Sequence, residues 1–166
     1  MNAKGRKAAA ILLAVTLTSA AGASLAASDS SFAGHYTTAS LSVQEQTAGN
    51  LLNSDRARYG LAPLVIDPEL CRIARIKSQD MRDNQYFAHT SPTYGDVRSM
   101  LRRFGYVFTA SGENIAHHAT IEKAQAAFLS SPGHRRNIMS GTYTKVGMGA
   151  AIDAQGYVYL TQIFVR

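Results

Sequence analysis

Three polar side chains stand where local structure alone does not require them. His134, in "SSPGHRRNIMS", follows a Ser-Pro-Gly turn; Glu113, in "SGENIAHH", opens an apolar stretch; His89, in "YFAHTSP", sits between an aromatic pair and a Ser-Pro turn. A carboxylate entering an apolar segment needs a partner, because an unpaired buried charge is costly. Two histidines and one glutamate are the donor inventory of an open zinc site, where the metal keeps a position for water or ligand. The same residues suit hydrolysis, with Glu113 or His134 as general base toward a metal-bound or free water. They carry no ligand-spacing signature of the H-E-x-x-H kind, so separate elements must bring them together.

The expected elements follow from caps and periodicity. Ser131, Pro132, Gly133 and His134 read as N-cap and first three positions of a short helix running through "RRNI", the Ser131 hydroxyl accepting from the backbone. The dipole at that end disfavours imidazolium, so the His134 ring is expected to stay neutral with a nitrogen free for a metal or a proton. On a strand, Glu113, Ile115 and His117 share one face and Asn114, Ala116 and His118 the other, with His117 exposed toward the rim. Earlier, a capping box joins Ser42 to Glu45 at the start of a helix that stops by Gly60, and Asp67-Pro68 opens a second helix with Leu70, Ile73, Ala74 and Met81 at core spacing. Asn53 and Arg56 in the first helix are expected to hydrogen-bond backbone near element ends. Further helices fit "GDVRSMLRRFGY" and "TIEKAQAAFLSS". "KVGMGAAID" and "YVYLTQIFV" flank a connection at Ala154 to Gly156 and predict a closing antiparallel hairpin. Helices first and strands mostly last give an α+β class with an antiparallel sheet.

The 166-residue chain opens with Lys4, Arg6 and Lys7, an uncharged apolar run and small residues ending at Ala26. This predicts a cleaved signal peptide over 1–26, a Ser/Thr/Ala/Gly-rich flexible linker over 27–42 that includes His35, and one domain over 43–166. The apolar run is shorter than the ~20 residues of a membrane span, so a soluble exported protein, extracellular or periplasmic, without stable membrane insertion is expected. Cys71 is the single cysteine, which excludes an internal disulfide and reads as a packing residue. Cleavage halves the formal charge of +6, and no nucleic-acid module is recognisable, so nucleic acid is not an expected partner. Arg98, Arg102 and Arg103 read as a solvated helix face.

"LLNSDRARYGLAPLVIDPEL", "DMRDNQYFAHTSP", "SGENIA", "SPGHRRNI" and "YTKVGMG", in this order, resemble the bacterial branch of the CAP superfamily, the SCP-like or pathogenesis-related-1-like extracellular proteins, over about Val43 to Arg166. The resemblance implies a three-layer α-β-α sandwich with a central antiparallel sheet, and a cleft lined by two histidines and two acids. By motif His89 corresponds to the first histidine, Glu113 to the first acid and His134 to the second histidine. Where eukaryotic relatives carry Trp-x-x-Glu, this chain has "FLSS", with Phe128 in the aromatic place and Ser131 in that of the second acid. The implied function is a secreted binding module whose His/Glu cleft takes a divalent metal such as Zn2+ at His89, His134 and Glu113, and with it a peptide, lipid or cell-wall glycan. The alternatives are a metal-assisted hydrolase, peptidase or cell-wall hydrolase, using Glu113 and His134, and a structural component of the cell envelope. Absence of a nucleophile elbow or a Cys-His pair favours binding over catalysis.

Overall fold

The computed structural model describes residues 40–166. The expected signal peptide, His35 and most of the expected linker lie outside the described residues. The elements are α1 (Val43–Arg58), β1 (Val65–Ile66), α2 (Pro68–Asp83), α3 (Val97–Arg103), β2 (Ser111–His118), α4 (Ile121–Ser130), α5 (Pro132–Ile138), β3 (Lys145–Ile152) and β4 (Val158–Val165). Local chemistry sets the helix starts. The Ser42 hydroxyl accepts from the Glu45 amide and the Glu45 carboxylate from the Ser42 amide, while Asp67 accepts from the amides of Glu69 and Leu70 ahead of Pro68.

The sheet order is β1-β3-β4-β2. β3, β4 and β2 are antiparallel, and the two-residue β1, which the pattern reading did not anticipate, joins β3 in parallel. Helices cover both faces, giving the α-β-α sandwich. One apolar layer joins Leu52, Phe128 and Ile138 of α1, α4 and α5 to Met148, Leu160 and Phe164 of the sheet. The other joins Leu70, Ala74 and Leu101 of α2 and α3 to Ile163 and Val165. Because β2 ends the sheet, its outer edge has no strand neighbour among the described residues.

Asn53 and Arg56 hold backbone. The Asn53 amide donates to the Leu64 carbonyl at 3.0 Å and accepts from the Leu64 N–H at 2.9 Å. Buried Arg56 donates to the carbonyls of Ala62, Ile138 and Ser140 at 2.8, 2.6 and 2.9 Å, clamping the end of α1 to the end of α5. Arg56→Ala strands three carbonyls and should lower stability by about 3–5 kcal/mol, since charge-assisted hydrogen bonds contribute ~1.5–3 kcal/mol and orphaned buried acceptors add to the loss. Thermal denaturation checks this, and a fall in Tm of less than about 3 °C would refute it.

Candidate functional site

His89, Glu113 and His134 come from a loop, an edge strand and a helix start, and they converge. The loop after α2 is held from below by two polar side chains of α2 that are largely withdrawn from solvent. Lys77, fully buried, donates to the Tyr86 hydroxyl at 3.2 Å and to the carbonyls of Ala88 and His89 at 2.8 and 3.0 Å. One helical turn on, Asp80 accepts from Asn84, Ser91 and Thr93 at 2.8, 2.6 and 2.9 Å, and from the Tyr86 hydroxyl. A hydrogen-bonded Ser91–Gly95 bridge closes the loop. His89 therefore projects from an anchored segment although its side chain is 57% exposed.

Glu113 is 4% exposed in its side chain, and its Oε1 accepts from His89 Nδ1 at 2.7 Å. A carboxylate cannot donate here, so Nδ1 carries the proton and, in the neutral ring, Nε2 keeps the lone pair. Glu113 Oε2 is buried without a hydrogen-bond partner. The His134 ring lies 6.4 Å from that of His89, centroid to centroid, and meets Phe128 edge-on at 5.1 Å. Two adjacent asparagines cross-lock the strand and the helix. Asn114 Nδ2 donates to the His134 carbonyl at 3.1 Å, and Asn137 Nδ2 donates to the Glu113 carbonyl at 3.2 Å and to Asn114 Oδ1 at 2.9 Å. From Asn114 a buried chain continues through Gln162 and Gln125 to Asp55 of α1.

The two imidazoles are pushed in opposite directions. The Glu113 hydrogen bond raises the pKa of His89 above the ordinary histidine value, against partial burial. Burial lowers that of His134, and the neighbouring His89 charge lowers it further. The neutral His134 expected from the helix dipole is thus favoured by desolvation and a like charge. His89 gains its proton first.

Other expectations change. Ser131 is the N-cap of α5, but its side chain makes no capping hydrogen bond. It also ends α4, and Pro132 leaves no N–H at the first helical position. Ser131 lines a groove with His134. His117 is exposed as expected, and in addition it stacks on Tyr159 at 4.0 Å and pairs with Asp153 at 2.8 Å. Lys77, Asp80, Asn114 and Gln162 were missed. The available signal was a polar residue inside an apolar run, as Gln162 is in "YLTQIFV".

Among the described residues no group of three or more His, Cys, Asp or Glu side chains is arranged to hold a metal ion. With Zn–N bonds of about 2.0–2.1 Å, two rings sharing a tetrahedral metal would have centroids roughly 5 Å apart; the rings here stand at 6.4 Å, so one of them would have to move toward the other to share an ion. Glu113 on Nδ1 matches the carboxylate that fixes the tautomer of a ligating histidine. No helix among the described residues is long and apolar enough to cross a membrane.

Residues 50–164 match the model of the cysteine-rich secretory protein family, CAP. The chain is 44% identical over 111 residues to the uncharacterized protein YkwD of Bacillus subtilis, spanning 66% of this chain and 43% of the relative. It is 35% identical over 118 residues to the uncharacterized membrane protein YlbC of the same organism, spanning 70% and 33%. The chain thus covers less than half the length of either relative. Among solved structures it resembles an extracellular protein containing an SCP domain from Bacillus anthracis, with a TM-score of 0.69 and 35% identity, covering 74% of this chain and 40% of that one. An outer surface protein from Borrelia burgdorferi shares the fold at a TM-score of 0.68 and 17% identity, covering 73% and 90%. Motif order, sandwich architecture and the family match agree: the chain belongs to the CAP family of cysteine-rich secretory proteins.

Proposed function

We propose that the protein is an extracellular binding module whose ligand site is the cleft between His89 and His134. A divalent metal such as zinc would be held by His89 Nε2 and His134, with Glu113 orienting His89 and ligand atoms filling the remaining positions. The observation that carries this reading is the His89–Glu113 hydrogen bond of 2.7 Å beside a second, neutral-leaning imidazole 6.4 Å away. An extracellular setting is supported by the B. anthracis relative, whose description is that of an extracellular protein. Hydrolysis is the second reading. Glu113 is engaged by His89, which leaves His134, its pKa lowered, as the group available to act as base.

The test is calorimetric titration with zinc at pH 7.5 and 5.5. A metal displaces the proton of His89 Nε2 wherever that ring is charged, and the raised pKa of His89 puts the onset above the free-histidine value of ~6.5. Affinity should fall as pH drops through that range, with His89 supplying most of the released protons. His134→Ala should abolish binding and leave the fold intact, since alanine in the first turn costs a helix little. No heat at either pH, or equal affinity at both, would refute the metal. Peptide and peptidoglycan incubated with the protein, with and without chelator, should be bound and remain uncleaved; cleavage would support the hydrolase.

A further inference from the structure

The outer edge of β2 carries a row of main-chain groups that the described residues leave open. Arg166 N–H donates to the Ala110 carbonyl at 3.0 Å, which makes Ala110 and Arg166 a hydrogen-bonded pair of the antiparallel ladder. From that register, Gly112, Asn114, Ala116 and His118 point their N–H and C=O toward β4, and Ser111, Glu113, Ile115 and His117 point theirs outward. The Asn137 amide on the Glu113 carbonyl agrees with this alternation. Among the described residues nothing hydrogen-bonds the outward N–H and C=O of Ile115 or His117. Ile115 is nonetheless only 5% exposed, and it lines a groove. That groove, about 260 Å³, is lined by residues 115–118 of β2 together with Phe87, Phe128 and His134.

We propose that the groove binds an extended polypeptide segment, which adds to the free edge of β2 as a strand and delivers a side chain or its main chain to His89 and His134. This rests on the reading of the cleft as a ligand site and names the ligand's class. The chemistry that selects it is the alternation itself. Ile115 and His117 present a donor and an acceptor each, repeating every second residue, and an extended main chain is the partner that offers the complementary set at that spacing. A glycan repeats too, but its step is set by the sugar ring rather than by the two-residue period of a strand. Exposed strand edges are normally blunted by charge, bulge or proline, and none of these interrupts Ile115 to His117. Side chains of an added strand would alternate between Phe87 with Tyr159 on one side and Phe128 with Ala127 on the other, which favours apolar or aromatic residues at successive positions.

The experiment screens the purified protein against an array of synthetic decapeptides with apolar or aromatic residues at successive central positions and polar residues at both ends. The tightest binder is then resynthesised with N-methyl groups on its odd or on its even amides. Strand addition uses one set, so one methylated peptide should lose about tenfold or more in affinity and the other should bind within about threefold of the parent. On the protein side, His117→Pro removes the outward N–H without touching the ladder to β4, and proline is tolerated at such an edge position. His117→Ala removes the ring but keeps the N–H. His117→Pro should bind on the order of fivefold to tenfold more weakly than His117→Ala, and both should titrate zinc as the parent protein does. The proposal is overturned if no peptide in the array binds, if both methylated peptides bind alike, or if a muropeptide binds while insensitive to His117→Pro. It is equally overturned if the Ile115 and His117 amides become protected with rising protein concentration alone, the mark of edge-to-edge pairing between copies. A protein that binds zinc but no peptide sinks this inference only; one that binds peptide in the alternating register but no zinc sinks the metal only.

Discussion

Gly149→Ala is expected to cost the protein a large part of its folding stability. A Cβ at that position would stand 2.0 Å from the Ala74 carbonyl carbon and 2.1 Å from the Arg75 nitrogen, both main-chain atoms of α2. Gly147 makes the same approach one repeat earlier, its Cβ position falling 2.2 Å from the Leu70 carbonyl carbon. Residues two apart on β3 and four apart on α2 keep the same step, so the helix backbone lies directly in a glycine-lined groove of the strand. No rotamer change can relieve a clash with main chain. α2 must lift from the sheet, and with it go the packing of Ile73 and Ala74, the loop that carries His89, and the buried Ser78–Thr161 contact of 2.8 Å. The loss should exceed about 4 kcal/mol, against the ~5–15 kcal/mol that natural domains have in total. Far-UV circular dichroism and a denaturant titration read the result. A midpoint within experimental error of the parent would mean that α2 and β3 are not in main-chain contact.

Lys77→Met is expected to destabilise the protein by about 3–5 kcal/mol and to raise the pKa of His89. Methionine preserves most of the stem volume, but the part-buried Ala88 and His89 carbonyls lose their donor, at about 1–3 kcal/mol for each carbonyl left unpaired, and the Tyr86 hydroxyl keeps only its bond to Asp80. Burial pushes the Lys77 ammonium toward neutrality, while Glu113 and Asp80 hold it charged. Relief of that burial offsets part of the cost. The charge of Lys77 works against protonation of His89, so its removal leaves the Glu113 hydrogen bond less opposed. The His89 titration, followed by the ring proton shifts, should therefore move to higher pH, and zinc binding near pH 6.5 should weaken with it. Amide exchange over residues 84–95 should quicken as the loop loses its anchor. A Tm and a His89 titration both unchanged would refute the positioning role.

Much of this fold was legible in one chain because helix starts and turns are local. The capping box at Ser42 and Glu45, the Asp67-Pro68 start, the Pro132 start and the closing hairpin each involve residues within a few positions of one another, so their chemistry is complete in the sequence. The resemblance then named His89, Glu113 and His134 from separate motifs. The glycines of "KVGMGAAID" were a visible signal of close backbone approach that a strand pattern alone does not interpret.

What the residues do to one another was settled only in three dimensions. His89 gains its raised pKa from a carboxylate 24 positions away in the chain, and His134 its lowered one from burial against Phe128 and from His89. Ser131 ends α4 and begins α5 without its expected capping bond. Lys77 sits in a helix whose apolar spacing says nothing of a buried ammonium, since the loop carbonyls that accept from it return only after the chain has turned back. The position of β2 at the sheet's end, which leaves its outer edge without a strand neighbour among the described residues, depends on β3 and β4 pairing between it and β1. Local signals determine where elements begin and end; charge state, burial and strand order depend on which distant segments come to lie beside them, and that is decided by packing.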